Sequence, residues 1–212
     1  MRLTYKHTKY ASYIGLFTQA IVNNLAPLLF VTFQTQYGIS IEKISFLIIL
    51  NFGVQIITDF FSAKYVDKIG YRKAMLIANF CCFIGLMGLG IFPMIFSNIY
   101  VGLLLAVVIN AIGGGIIEVV DSPIVEALPG DEKESAMSML HSFYCWGQVS
   151  VVLLSTLYFN TVGISEWKYM AMLWALIPLC NAFLFMKVPM CALVEDGQRM
   201  PLRKLFTVRI FW

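Results

Sequence analysis

Charge is scarce in this chain. Only 13% of its 212 residues are Asp, Glu, Lys or Arg, while 59% are hydrophobic. That leaves too little polar surface to cover a globule in water, which excludes a soluble domain. Histidine is nearly absent, with His7 and His141 the only two. The five cysteines, Cys81, Cys82, Cys145, Cys180 and Cys191, share no CxxC or Cys/His spacing. They therefore read as small packing residues, not as disulfides or metal ligands. There is no Gly-rich phosphate loop ending in Gly-Lys-Ser/Thr and no nucleophile–base arrangement, which argues against an ATP-driven pump or an intramembrane hydrolase. The reading is not an enzyme, with no cofactor and no metal expected.

The chain consists largely of apolar runs, at 10–33, 44–66, 74–96, 99–128, 136–159 and 169–188. Each reaches the ~20 residues that carry a helix across a ~30 Å hydrocarbon layer. The expected fold class is an all-α membrane protein with six transmembrane helices, one per run. A β-barrel is disfavoured, because the runs lack inside–outside alternation and ten-residue spacing. The first run is too long for a secretory signal, contains Asn23, Asn24 and Pro27, and is followed by no small-residue cleavage site, so it reads as a mature helix. With the N-terminus cytoplasmic, every lysine and arginine except Lys43 and Lys168 falls on the inner side, the bias of the positive-inside rule. The net charge of +3 is then a topological signal and implies no nucleic-acid partner. The partner is the lipid bilayer, and the expected location is the cell membrane, crossed several times.

Polar residues inside these runs need a reason, since a carboxylate at a helix centre costs about 2.5–3.5 kcal/mol on insertion scales. In the fourth run Asn110, Gly114, Glu118 and Ser122 recur at i+4, with Asp121 a turn beyond Glu118. Two carboxylates a turn apart do not both ionise easily in low dielectric, which suits a proton-binding site at Glu118 and Asp121. Glu126 is assigned to cytoplasmic water. Gly113, Gly114 and Gly115, with Ala111, give the small-residue spacing that lets a neighbouring backbone approach closely, and Pro123 is expected to kink the helix just past the acids. In the second run Asn51, Gln55 and Asp59 form a similar stripe. Asp59 lies about 12 Å along the helix from Asp67 and must face the bundle or a wet cavity, either doing chemistry or pairing with Lys64. The fifth run groups His141, Tyr144, Cys145 and Gln148 on one side, a ring-plus-donor surface suited to a polar ligand. In the first run Gln19 and Asn23 share a face with Pro27, while Asn24 points elsewhere. Side-chain amides also serve as glue between membrane helices, so not every one of these groups belongs to a site.

Between the second and third runs stands Ala63-Lys64-Tyr65-Val66-Asp67-Lys68-Ile69-Gly70-Tyr71-Arg72-Lys73. It resembles the helix 2–3 loop of the major facilitator superfamily at Asp67, Lys68, Gly70 and Arg72, with Ala63 in place of a glycine and Tyr71 in place of a basic residue. The resemblance implies the N-terminal half of a fold built from two six-helix halves, with substrate held between them. It also implies a conformational latch at Asp67, Lys68, Gly70 and Arg72, in which Asp67 meets the positive end of a helix in the other half. Residues 1–188 would be the six-helix unit, and 189–212 a cytoplasmic linker leading toward a seventh helix. The chain reads as incomplete or as a half-length protein that pairs with a second copy; incompleteness is favoured, because a free half would expose its cavity face to lipid.

Gly113–Gly115, Glu118 and Pro123 further resemble the fucose permease-like sugar:proton symporters, as do Asn23-Asn24-Leu25, Phe33-Gln34, and His141 with Phe143 and Gly147. That resemblance implies a proton-linked role for Glu118 and a ligand-contacting role for His141. Where the group carries an acid in its first helix this chain has Pro27, so either Asp121 takes that place or the coupling differs. The resulting expectation is a secondary transporter of a small polar, sugar-like solute coupled to protons. Asn23, Asn24, Gln55, Asn110, His141, Tyr144 and Gln148 would bind substrate. A drug or metabolite exporter, or a non-transporting membrane sensor or scaffold, are the alternatives.

Overall fold

A computed structural model describes residues 3–191 of the chain; the expected linker lies outside the described residues from position 192 on. The elements are α1 (Tyr5–Leu28), α2 (Phe30–Tyr37), α3 (Ile41–Ile69), α4 (Tyr71–Ile95), α5 (Ile99–Glu126), α6 (Lys133–Thr161), a 3-10 turn (Ile164–Glu166) and α7 (Trp167–Lys187). No strand occurs among the described residues. Five helices are long and apolar enough to cross a membrane on their own, and the count of six requires α1 and α2 to form one span bent by 41°. The first span is therefore bent, where the sequence reads only as one apolar run. Pro27 has no N–H for the carbonyl a turn before it, and its ring crowds that carbonyl. Leu29, at φ −94° and ψ 1°, then leaves the helical path before α2 resumes.

The expected inner loop at 64–73 also contracts. α3 continues to Ile69 and α4 begins at Tyr71, so Gly70 alone makes the connection, at a φ of 89° that favours glycine. The basic residues thus sit on helix ends, where Lys68 faces the negative terminus of α3. Tyr71 OH donates to Asp67 Oδ1 at 2.9 Å, bracing the turn. α5 runs through Pro123 to Glu126 as one continuous helix.

Arg72 anchors this end of the bundle. Its guanidinium donates to the carbonyls of Phe185 and Val188 at 2.6 and 2.7 Å, capping the C-terminus of α7. Replacing Arg72 with Gln should cost about 2 kcal/mol, the range for hydrogen bonds to a charged group. A thermal melt in detergent checks this, and an unchanged midpoint would show the cap to be dispensable.

α1 and α5 form the centre. α1 packs on α6, α5 and α7, while α5 packs on α3, α4 and α1, and α4 closes against α7 behind. Gly147 of α6 meets α1 so closely that an added Cβ would lie 2.7 Å from Ala20 Cβ. α3 and α6 make no substantial contact with each other. They stand on either side of α1 and α5 and leave a trough between them. Both also carry many exposed apolar side chains, such as Phe46, Ile49, Phe60, Leu153 and Leu157, as surfaces bathed in lipid or covered by other helices do.

Candidate functional site

The trough is a cavity of about 530 Å³, lined from four helices and by none of the described residues of α4 or α7. Its size lies within the range of small-molecule sites. α1 contributes Leu16, Gln19 and Asn23; α3 contributes Phe52, Gln55, Ile56 and Asp59. Across from them α5 presents Glu118 and Ser122, and α6 presents His141, Tyr144 and Cys145. On each helix these residues recur at i+3 or i+4, so one stripe per helix turns toward the same space.

Two hydrogen-bond systems organise it. Gln19 Nε2 donates to Glu118 Oε2 at 2.6 Å, tying α1 to α5. Asn23 is the hub of the other. Its Oδ1 accepts from Gln55 Nε2 at 2.6 Å and Asn51 Nδ2 at 3.3 Å, while its Nδ2 donates to Tyr144 OH at 3.3 Å. One amide on α1 therefore connects α3 with α6. Glycine makes the wall close enough: a Cβ on Gly115 would sit 3.0 Å from the Gln55 carbonyl oxygen and 2.8 Å from Asp59 Oδ1. α3 can bring both side chains to the cavity only because that Cβ is absent. No group of three or more His, Cys, Asp or Glu side chains suited to a metal ion occurs among the described residues.

The cavity gathers Asn23, Gln55, His141, Tyr144 and Glu118 from the residues singled out in the sequence. Asn24, Asn110, Gln148 and Asp121 do not line it. Asn24 Nδ2 turns back to the carbonyl of Ala20 on its own helix, at 2.7 Å. The Asn110 side chain, 3% exposed, packs over Gly85 of α4. Asp121 is wholly buried and its carboxyl packs against Gly15 of α1. The reason is angular. Eight helical residues turn through two full circles plus about 80°, so Asn110 and Glu118 diverge, while Asp121 and Ser122 are rotated to opposite sides of Glu118. The apolar lining residues Leu16, Phe52 and Ile56 carry no polar signal in the sequence, although each sits one turn from a polar member of its stripe.

Asp59 also lines the cavity, and its Oδ1 is buried with no hydrogen-bond partner among the described residues. Lys64 does not pair with it; its Nζ stands 5.1 Å above the ring of Tyr65. The turn residues Asp67, Lys68, Gly70 and Arg72 lie at the basic end of the bundle and line no part of the cavity.

No curated protein matches the chain in sequence. In fold it is similar to the xylose transporter XylE from E. coli in its inward-open conformation, with a TM-score of 0.76 over 88% of this chain and 49% of that one, at 16% identity. The proton:xylose symporter XylE bound to 6-bromo-6-deoxy-D-glucose gives 0.76, with 15% identity, over 88% of this chain and 45% of that one. A double-tryptophan XylE mutant matches over 98% of this chain and 50% of its own, at 16% identity and a TM-score of 0.76. The chain therefore spans about half the length of these transporters. The family model described as Major Facilitator Superfamily matches residues 12–212. With its apolar helices and its six-span, half-length fold, this chain belongs to the major facilitator superfamily.

Proposed function

We propose that the protein is a secondary active transporter of the cell membrane that moves a small polar, sugar-like solute together with protons by alternating access. One observation carries this reading: a hydrogen-bonding cavity set into a largely apolar bundle, with Glu118 on its wall held by Gln19 at 2.6 Å. A carboxylate is tolerated among membrane helices when it faces protein or water instead of acyl chains. The amides of Asn23 and Gln55, the Tyr144 hydroxyl and the His141 ring offer donors and acceptors matched to hydroxyl groups. Glu118 is the group that takes and releases the proton. The fold's likeness to a proton:xylose symporter adds support for a sugar-like solute. Asn24, Asn110, Gln148 and Asp121 are assigned no contact with solute, since none of them lines the cavity.

The tight turn holding Asp67, Lys68, Gly70 and Arg72 is assigned the latch toward a second six-helix half. Counterflow of labelled sugars in liposomes carrying the full-length protein tests the reading. Saturable exchange is expected; a protein that gives no saturable flux with any polar solute would instead be a membrane scaffold.

A further inference from the structure

Glu118 is not the only acid on the cavity wall. Asp59 lines the same cavity from α3, the helix that packs on α5 where Glu118 stands. Its Oδ1 is packed against Gly115, the residue one turn before Glu118 on α5, and accepts no hydrogen bond among the described residues. Lys64, the nearest cation along the same helix, is turned to Tyr65. The charged and titratable groups around the space are few: Glu118 from α5, and His141, Tyr144 and Cys145 from α6. α1 offers only the neutral Gln19 and Asn23, and no lysine or arginine lines the cavity.

We propose that Asp59 is the second acid of proton coupling, and that it shares one proton with Glu118 across the α3–α5 contact. This rests on the transport reading above and assigns to Asp59 the place that Asp121, packed against α1, cannot reach. The balance is simple. The empty pair carries two negative charges; it takes one proton from water on one side, becomes singly charged, and returns that proton to water on the other. With no lysine or arginine at the wall, loss of the proton leaves like charges facing each other in a medium that screens them poorly. Their repulsion acts where α3 touches α5, because Asp59 sits directly on Gly115. A protonated pair lets the two helices close, and an empty pair drives them apart, which links proton release to movement of a cavity wall.

The test uses the reconstituted full-length transporter and two assays: counterflow, which needs no net proton movement, and accumulation under an inward proton gradient. Asp59→Asn should lose accumulation down to the level without a gradient and flatten the pH profile of counterflow, whereas Asp59→Glu should retain accumulation. Asp121→Asn should keep accumulation. Gradient-driven accumulation retained by Asp59→Asn overturns the proposal. So does a loss of counterflow that Asp59→Glu fails to restore, since Asp59 would then serve the transport path itself and not its coupling. A wild-type protein without counterflow is a different outcome, which defeats the transport reading and leaves nothing for Asp59 to couple.

Discussion

Glu118→Gln should abolish uphill accumulation and leave exchange intact. The amide is nearly isosteric with the acid, and its oxygen can still accept from Gln19 Nε2, so the tie between α1 and α5 seen at 2.6 Å survives. What disappears is the proton. An inward gradient of one pH unit supports accumulation of about tenfold when one proton accompanies each solute, and the variant should show none of it. Counterflow should continue, because solute exchange needs the cavity and not the gradient. The variant mimics the protonated state, so its exchange should also lose dependence on pH. Accumulation equal to that of the wild type would remove Glu118 from the coupling.

The second large effect is structural. Gly113 lies where α5 crosses α4, and a Cβ placed there would meet the Ala78 carbonyl oxygen at 2.7 Å and the Cys82 backbone nitrogen at 2.8 Å. Helix backbone cannot move aside as a flexible side chain does. Overpacking a well-filled core costs about 1–3 kcal/mol even where neighbours adjust, and Gly113→Leu should exceed that range and prevent stable assembly. Gly53, on α3, has nothing within 4 Å of its added Cβ. Gly53→Leu should therefore fold normally. Detergent-solubilised yield and thermal midpoint distinguish the two, and equal behaviour would mean that the α4–α5 contact does not hold the bundle together.

The spanning helices follow from run length alone, because a bilayer demands internally satisfied backbone over a fixed thickness. Gly113–Gly115 was legible as a packing surface, but not which neighbour each glycine would meet; in the structure Gly113 faces α4 and Gly115 faces α3. The same ambiguity governed the polar residues. Spacing at i+4 drifts about 40° per step from a straight line on the helix, so a stripe such as Asn110–Glu118 contains members that face different helices. Asp121 and Glu118 looked like a pair along the chain, yet Asp121 packs on Gly15 and Glu118 opens to the cavity. Asp59 and Lys64 are five residues apart and about 140° round the helix, so they point apart; the approach of α3 to α5 brings Asp59 to the cavity. The break after Pro27 was likewise signalled by a proline, but nothing local to the sequence told a tolerated kink from a bend.

The account depends on the cavity holding water while the grooves on the outside of the bundle hold lipid, and two native cysteines report on that directly. Both Cys145 and Cys180 are exposed free thiols. Cys145 lines the polar cavity, whereas Cys180 lines an apolar groove with Phe17, Phe143 and Leu176. A membrane-impermeant maleimide reacts with thiolate, which forms only in contact with water. Applied to the protein in liposomes and read by mass spectrometry, it should modify Cys145, more slowly when transported solute is present, and spare Cys180. Labelling of Cys180 with Cys145 untouched would place acyl chains against Glu118 and contradict the account.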